Sequence, residues 1–392
     1  MKDIINEKVK KYNKEVIDLR RYFHKHPEVG FKEYNTSKKI ANLLESFGLT
    51  VITNVAKTGV IGILKGSKPG KTIAIRADMD ALNIKEKTNL KFKSENSKVM
   101  HACGHDGHIA ICLGAAKILS ELKEEIKGNI KFIFQPAEEG PGGAKEMIDE
   151  GALKNPKVDA IIGLHIWPEI DSGYVGIKKD TIMAAADRFD IKIKGLGGHG
   201  AVPHLAKDPI VIGSQIVNSL QTIVSREIDP LDCAVVSTCM FNSGSVFNVI
   251  PNDATLSGTV RTLNNETRNL IPKRIESFIK NITKANDCSY EFNYSYYYPP
   301  TINDKNFTTF FEGVAKEILD EKVFEIKRPS MGGEDFSFYL QKVPGTFFFL
   351  GTKNIDKGIN IPLHHPEYNI DEDILPLGIK LFCNTAMKYL NS

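Results

Sequence analysis

Several side chains in this sequence are of the types that bind a metal ion and hydrolyse a bond beside it. They are Asp78, Asp80, His101, Cys103, His105, His108, Glu138, Glu139, His165 and the adjacent pair His364 and His365. Cysteine, histidine and glutamate together suit zinc, cobalt, nickel or manganese better than magnesium or calcium, which prefer oxygen ligands. Where two glutamates are adjacent, one can bind the metal while the other accepts a proton from the water that the metal activates. The combination outlines a metal-dependent hydrolase site.

Each of these residues also has an ordinary structural explanation. A pair of glutamates is usually part of a solvated surface, and a lone histidine more often completes a hydrogen bond inside the core. Cys103 could be a small buried apolar side chain, and the nearby Asp78 and Asp80 could cap a turn. What favours a shared site is position, because these side chains repeatedly follow predicted strands.

The elements that must position these residues are strands alternating with helices. Short apolar runs predict strands at 60–64, 72–76, 130–134 and 160–164, and helical spacing of apolar residues predicts helices at 4–25, 34–47 and 107–119. This alternation indicates an α/β domain with a mixed, largely parallel sheet flanked by helices. Ligands of such sheets bind beyond the carboxyl ends of the strands, where Asp78, Glu138 and His165 stand in this sequence.

A second domain is predicted inside the first. Residues 186–297 contain, in order, a strand, a helix that Asp208 and Pro209 open, two strands, a helix and a last strand. This βαββαβ order is that of ferredoxin-like domains. We therefore expect a discontinuous metal-binding catalytic domain, formed by residues 1–185 and 298–392, with a smaller domain inserted into it.

Composition and charge exclude several classes of protein. The chain has 392 residues, 42% of them hydrophobic and 25% charged, which is typical of a globular protein with two domains. Its formal net charge of +3 gives no reason to expect a nucleic acid or an anionic membrane as a partner. We expect no membrane-spanning segment and, from the charged first residues, no signal peptide. Six cysteines without the spacing of a disulfide framework favour a reducing cytoplasm.

Eight segments, in order along the chain, resemble one known family closely. They are RRYFHKHPE (20–28), RADMDAL (76–82), MHACGHDGH (100–108), QPAEEG (135–140), GGHGAVPH (197–204), NVIP (248–251), MGGED (331–335) and LH (363–364). The chain resembles the metal-dependent aminoacylases and carboxypeptidases, in the amidohydrolase branch that contains hippurate hydrolase, N-acetyl-diaminopimelate deacetylase, N-acyl-L-amino acid amidohydrolase and the auxin-conjugate hydrolases. The resemblance implies a zinc-exopeptidase-like catalytic domain and an inserted domain that serves as lid and dimerisation domain.

The resemblance also implies a ligand set for two divalent metal ions per subunit, whether zinc, manganese, cobalt or nickel. The implied ligands are Cys103, His105, Glu139, His165 and His364. Glu138 would be the general base, and Asp80 would steady the site from behind the ligands. Of the adjacent His364 and His365, the family pattern selects His364.

Three residues of the inserted domain are implied to act on the substrate. His199 matches a histidine that stabilises the developing oxyanion, often from the partner subunit of a homodimer. Asn248 and Arg261 match positions that contact the substrate carboxylate or backbone. The competing explanation for His199 is a histidine in a glycine-rich loop that hydrogen-bonds only its own backbone.

The implied reaction is hydrolysis of the amide bond of a small N-acyl amino acid, with an N-acetyl, benzoyl or related acyl group. Dipeptidase or aminopeptidase-like activity in the same family stays open, because the pocket walls set substrate preference. A thiol amidase with Cys103 as nucleophile would survive metal removal, but it leaves Glu138 and Glu139 without a role. A non-catalytic binding module would lack ligands or the base, and this sequence lacks neither.

Overall fold

The computed structural model describes all 392 residues and divides into two compact units. The first comprises Met1–Ile182, Ile302–Arg328 and Asp335–Ser392, and the second comprises Met183–Thr301 and Pro329–Glu334. The second unit thus begins before residue 186 and ends after residue 297, whereas the sequence predicted these two residues as its limits. It also takes in Pro329–Glu334, because the backbone N–H of Ala184 donates to the carbonyl oxygens of Ser330 and Gly332.

An eight-stranded mixed sheet forms the centre of the first unit, in the order β1-β2-β4-β3-β5-β16-β6-β15. Its strands are β1 (Thr50–Val55), β2 (Gly59–Lys65), β3 (Lys68–Asp78), β4 (Lys127–Gln135), β5 (Ala160–Asp171), β6 (Val175–Ile177), β15 (Val323–Glu325) and β16 (Gly345–Lys353). The four central strands, β4, β3, β5 and β16, run parallel to one another. Their carboxyl ends consequently meet at one edge of the sheet, as the sequence predicted.

Seven helices belong to the first unit. They are α1 (Lys2–Lys25), α2 (Tyr34–Ser46), α3 (His105–Ser120), α4 (Ala144–Asp149), α7 (Lys305–Leu319), α8 (Ser337–Leu340) and α9 (Leu375–Asn391). Helix α3 lies against α1, α9 and strand β3. From residue 109 to residue 116 helix α3 has no charged side chain or strong hydrogen-bonding group, and nearly all of the helix is buried. This central helix begins with His105, so the core fixes the position of one predicted ligand.

The second unit is a four-stranded antiparallel sheet in the order β10-β12-β8-β13, with two long helices. Its elements are β8 (Ala185–Lys194), α5 (Pro209–Thr222), β10 (Ala234–Ser243), β12 (Asp253–Thr262), α6 (Asn265–Ala285) and β13 (Ser289–Tyr298). Isoleucines of α5, α6 and β8 form its core, among them Ile216, Ile275 and Ile191. The Asp208 side chain caps α5 by accepting from the N–H of Ile210. This is the ferredoxin-like fold expected from the βαββαβ order.

The remaining elements are short. They are strands β7 (Thr181–Met183), β9 (Gly198–His199), β11 (Val249–Ile250) and β14 (Thr301–Ile302), a π-helix at Ile223–Glu227, and 3₁₀ helices at Lys123–Glu125, Pro203–Leu205, Asp320–Lys322, Ile355–Lys357 and Glu372–Ile374. Strands β9 and β11 pair as a two-stranded ribbon in the second unit. No helix combines the length and the apolar character that crossing a bilayer requires.

Candidate metal centre

The candidate ligands of the first unit lie where strands β3 and β4 end, beside the middle of β5 and the start of helix α3. Strand β3 ends at Asp78, strand β4 ends just before the segment that carries Glu138 and Glu139, and His165 lies within β5. Helix α3 begins with His105, two residues after Cys103. Elements that are far apart in sequence thus deliver thiolate, imidazole and carboxylate groups to one place.

The first group of donors consists of Cys103, His105 and His165, which are all buried. One ligand atom of each lies within 4.8 Å of those of the other two. The Sγ of Cys103 is 3.4 Å from Nε2 of His165. Nδ1 of His165 donates to the backbone oxygen of Ile166 at 2.8 Å, which leaves the lone pair on Nε2 directed at the cysteine. Burial lowers the pKa of His165 well below its usual range, so the imidazole is neutral and able to bind a metal.

His105, like His165, has one ring nitrogen bound to a backbone oxygen and the other one left for a ligand. Its Nδ1 lies 2.9 Å from the backbone oxygen of Asp80, which can only accept a hydrogen bond. Its Nε2 is buried and has no hydrogen-bond partner among the protein atoms. Leaving a buried polar atom unpaired costs about 1–3 kcal/mol, and this nitrogen is available to a metal ion. The donor set and this orientation fit a metal ion.

A second group of donors overlaps the first. Cys103, Glu139 and His364 place ligand atoms within 4.8 Å of one another, and so do His105, Glu138 and Glu139. Nε2 of His364 is 3.1 Å from Oε1 of Glu139. Because Cys103 and His105 belong to more than one group, the arrangement offers donors for neighbouring ions rather than for a single isolated one.

Asp80 connects the two sides of this cluster. Its Oδ2 accepts from the backbone N–H of Glu139 at 3.0 Å, while its own backbone oxygen accepts from His105. The side chain is almost fully buried. Asp80 therefore fixes one residue from the segment after β4 and one from the start of α3.

The pocket favours positive charge. Burial alone would lower the pKa of His105, but the carboxylates of Asp78 and Asp80 raise it to about 10. Burial raises the pKa of the Cys103 thiol well above its usual range, and the carboxylates of Glu139 and Glu138 raise it further. A bound divalent cation reverses that shift by stabilising the thiolate. Protein groups alone therefore leave an excess of negative charge at this place.

Asp78 and His108 are functional candidates that sequence reasoning did not assign to the site. Asp78 does not cap a turn; its Oδ2 accepts from Arg76 at 2.7 Å and its Oδ1 accepts from Nδ1 of His108 at 2.6 Å. Nε2 of His108 in turn accepts from the backbone N–H of Ile166 at 2.9 Å. Both nitrogens of His108 are thus used within the protein, and the residue supports the backbone beside His165 instead of binding a metal. Asp78 lies in the segment RADMDAL and His108 in the segment MHACGHDGH. Their place in these two segments was the sequence feature that could have identified them.

A further buried group supports the segment after β4. The Asp335 carboxylate accepts from Arg76 at 2.9 Å, from the Gln135 side chain at 2.8 Å, and from the backbone N–H of Ala144 at 3.0 Å. All three partners and Asp335 itself belong to the first unit. Asp335 therefore holds the two ends of the segment that contains Glu138 and Glu139.

The three predicted substrate-contacting residues lie in the second unit. His199 in β9 pairs with Val249 in β11, and the N–H of Gly200 donates to the carbonyl oxygen of Asn248 at 2.9 Å, so His199 and Asn248 share one exposed ribbon. Nδ1 of His199 accepts from the N–H of Ala201 at 3.0 Å. Arg261 lies in β12, where its guanidinium donates to the backbone oxygen of Val260 at 3.1 Å. Burial lowers the pKa of Arg261.

Comparison with known proteins gives these features a context. Residues 74–388 match the model of peptidase family M20/M25/M40. The chain is 44% identical over 382 residues to thermostable carboxypeptidase 1 of Saccharolobus solfataricus, covering 96% of this chain and 95% of the relative. It is 41% identical over 373 residues to hippurate hydrolase of Campylobacter jejuni, covering 95% and 96% of the two chains.

A solved structure extends the comparison to the fold. The crystal structure of the Bacillus subtilis YXEP protein, described as a dinuclear metal-binding peptidase of the M20 family, superposes with a TM-score of 0.85. The two sequences are 37% identical, and the match covers 98% of this chain and 99% of that one. Family model, relatives and structure agree with the resemblance found in the sequence. The chain belongs to peptidase family M20/M25/M40 and is a metallo-hydrolase.

Proposed function

We propose that this enzyme hydrolyses the amide bond of small N-acyl amino acids. The observation that carries the proposal is the overlap of the donor groups around Cys103 and His105 with the adjacent carboxylate of Glu138. The hippurate hydrolase relative acts, by its name, on an N-acyl amino acid, and a 39% identical Bacillus subtilis relative is named N-acetylcysteine deacetylase. Both names describe removal of an acyl group from an amino acid.

Two divalent metal ions would complete the site, drawn from zinc, manganese, cobalt and nickel. The residues that would hold them are Cys103, His105, Glu139, His165 and His364. When bound, such ions would polarise the substrate carbonyl and lower the pKa of a bound water to near neutral pH. The two-metal description of the YXEP protein supports this number of ions.

Glu138 is the general base in this proposal. The residue is 6% exposed, and its carboxylate belongs to the same group of donors as His105 and Glu139. It accepts a proton from the attacking water and returns that proton to the leaving amine, so that one residue serves both steps. Asp80 keeps Glu139 and His105 in place through the two hydrogen bonds described above.

The second unit would supply the contacts to the substrate. Because Nδ1 of His199 accepts a hydrogen bond, the neutral imidazole carries its proton on Nε2, which can donate to a developing oxyanion. Asn248, on the same ribbon, and Arg261 are assigned to the substrate carboxylate. The hydrogen bond from Ala201 to Nδ1 is also what the loop-stabilising explanation predicts, so the proposed role depends on Nε2 as the donor.

We assign a homodimer through the second unit. Strand β10 is an edge strand with one open side, and the exposed apolar side chains Met240 and Phe241 lie near its end. Ile210 at the start of α5 is exposed as well, and its Cδ1 would lie 3.8 Å from a Cβ on Gly244, the residue after β10. An open edge beside exposed apolar residues is commonly covered by a second copy of the same chain. The reducing cytoplasm is the proposed location, supported by six free cysteines.

The first test is hydrolysis of N-acetyl-methionine, hippurate, N-acetyl-diaminopimelate and a dipeptide, before and after chelation, with zinc, manganese, cobalt or nickel added back. Loss of activity on chelation and recovery with one metal is the expected result. Activity that persists in a preparation shown to contain no metal would contradict the proposal and would support a thiol amidase that uses Cys103.

A peptidase is the second candidate, because the 44% identical relative is named a carboxypeptidase. Both reactions use the same metal centre, so only the walls of the substrate pocket separate them. Faster turnover of the dipeptide than of all three N-acyl amino acids would favour the peptidase.

A further inference from the structure

The turn that carries Glu138 and Glu139 is held by a residue far away in sequence. We propose that Glu33 is a positioning residue for this turn and keeps Glu138 in the orientation that proton transfer needs. The inference rests on the proposed role of Glu138 as general base, and it adds a residue outside the metal ligands. Glu33 precedes α2 and is fully buried.

Two hydrogen bonds fix the Glu33 carboxyl group. Oε1 accepts from the backbone N–H of Ala137 at 3.0 Å, and Oε2 accepts from the hydroxyl of Thr58 at 2.6 Å. Thr58 lies between β1 and β2, while Ala137 lies two residues after β4. Glu33 therefore joins the catalytic turn to an adjacent part of the sheet.

Ala137 needs such a restraint because of its backbone conformation. Its φ of +55° lies in the left-handed region, which residues with a Cβ disfavour. Its carbonyl oxygen accepts from the N–H of Gly142 at 3.0 Å, and its own N–H is the group that Glu33 binds. Without the carboxyl group, the N–H would be buried without a partner and the chain could relax to an ordinary conformation.

The turn is held symmetrically about Glu138. Glu33 accepts from the N–H of the residue before Glu138, and Asp80 accepts from the N–H of the residue after it. The backbone on both sides of the proposed base is thus bound by a buried side-chain carboxyl group. The segment leading to Glu33 also packs tightly, since a Cβ on Gly30 would lie 3.0 Å from the Cα of Ala137.

What Glu33 supplies to Ala137 is an acceptor oxygen, which its ionised and its neutral form both provide. Burial raises its pKa to about 7, so the neutral form is well populated near neutral pH. Glutamine has the same shape and keeps an oxygen for Ala137 while its amide faces the Thr58 hydroxyl, which can also accept. Alanine keeps neither contact. The conservative Glu33→Gln should therefore rescue what Glu33→Ala loses.

The experiment compares kcat, KM, metal content and thermal midpoint for Glu33→Ala and Glu33→Gln with the metal-loaded wild type. We expect Glu33→Ala to lower kcat by about 100-fold with little change in KM or metal content, because small misplacements of a catalytic group cost about that much. Glu33→Gln should stay within about threefold of the wild type. Adding Ala137→Gly to Glu33→Ala should restore part of kcat, since glycine reaches a φ of +55° without strain.

Asp159→Ala is the matched control. Asp159 also accepts from a backbone N–H, that of Thr72, but at the opposite edge of the sheet. The Asp159→Ala variant should have a lower thermal midpoint than the wild type and an unchanged kcat. If Glu33→Ala keeps its kcat, or if Glu33→Gln is as impaired as Glu33→Ala, the inference is wrong. Should Glu33→Ala not fold, the shorter Glu33→Asp takes its place with the same expected loss.

Failure of the inference can be told apart from failure of the proposed function. Glu138→Gln is measured in parallel. An inactive Glu138→Gln with a fully active Glu33→Ala overturns the role of Glu33 alone. An active Glu138→Gln overturns the proposed base, and the positioning role of Glu33 with it.

Discussion

At the scale of single residues, the adjacent Glu138 and Glu139 differ in the side chains around them. Glu139 is paired with His364 and shares a donor group with Cys103. Burial alone would raise the pKa of Glu139, but hydrogen bonding to His364 and the charge of His105 hold it below its usual range, which keeps the carboxylate ionised. Glu138 shares a group with His105 and Glu139 but belongs to neither of the groups that contain Cys103. The same residue type is therefore assigned to metal binding at one position and to proton transfer at the next.

Replacing each glutamate by glutamine should separate these roles. Glu138→Gln should keep its metal but lose about 10²–10⁴-fold in kcat, the usual contribution of a general base. Glu139→Gln should lose metal as well as activity, because a charged ligand is removed. Elemental analysis of the purified variants together with kcat measures both effects. Near-wild-type turnover in Glu138→Gln would refute the assignment of the base.

The buried Glu33 makes a prediction about pH and stability. Its pKa rises from 4.5 to about 7 on folding, so the stability it contributes is fully present below pH 4.5 and is lost as pH rises through 7. The expected loss is about 3 kcal/mol in the free energy of unfolding. Glu33→Gln has no such titration, so the difference between the two proteins should change by that amount between pH 4.5 and pH 8. Urea unfolding of both chelated proteins measures it, and parallel curves would contradict it.

At the scale of elements, the junction between helix α3 and strand β5 sets the geometry of the donors. His105 opens α3, and the N–H of Ile166 in β5 is bound by His108 one turn further along the helix. The two elements touch closely here, since a Cβ on Gly107 would lie 2.5 Å from Cδ1 of Ile166. The absence of a side chain at Gly107 allows α3 to approach the strand that carries His165.

Gly107→Ala tests whether this approach matters for activity. The added methyl group overpacks the junction at a cost of about 1–3 kcal/mol, partly offset by about 1 kcal/mol of helix propensity. Gly114→Ala is the control, because its methyl group would meet Cδ1 of Ile379 at a similar 2.6 Å, two turns away. Both variants should lose similar stability, but only Gly107→Ala should lower kcat, by about tenfold. Equal kcat values would show that the junction does not position the donors.

At the scale of the whole molecule, each unit has its own core and its own part in the proposal. The first unit holds the donor groups around its parallel sheet, and the second presents His199 and an open edge strand. Strand β10 and the start of α5 are close neighbours, since a Cβ on Gly213 would meet the Phe241 ring at 2.6 Å. Phe241 and α5 are thus in contact beside the open edge of β10.

Charges placed beside this open edge should prevent dimerisation. Met240→Lys and Ile210→Lys introduce a cation at side chains that are 54% and 40% exposed. Sedimentation should show a dimer of the 43.6 kDa chain for the wild type and a monomer for these variants. Ile355→Lys, an exposed apolar residue of the first unit, is the control and should remain dimeric. A monomeric wild type, or dimeric lysine variants, would contradict the assignment.

Much of the architecture followed from the sequence. Apolar runs predicted the cores of β2, β3, β4 and β5, and the βαββαβ order predicted the fold of the second unit. These elements are recognisable because burial of one strand or one helix face imposes a period on neighbouring residues. The sequence did not predict β1, whose side chains are mostly exposed, or short strands such as β6. Such elements carry too few patterned residues to be recognised.

The sequence by itself determined which residue types follow each central strand and which family the chain resembles. Only the tertiary structure decided which of them support the others. Glu33 reaches Ala137 across 104 positions, and Arg76 reaches Asp335 across 259. His108 is distinguished from His105 only by the partners of its two ring nitrogens. Hydrogen bonds between distant segments leave no period in the sequence, because they depend on where the folded backbone places each donor and acceptor.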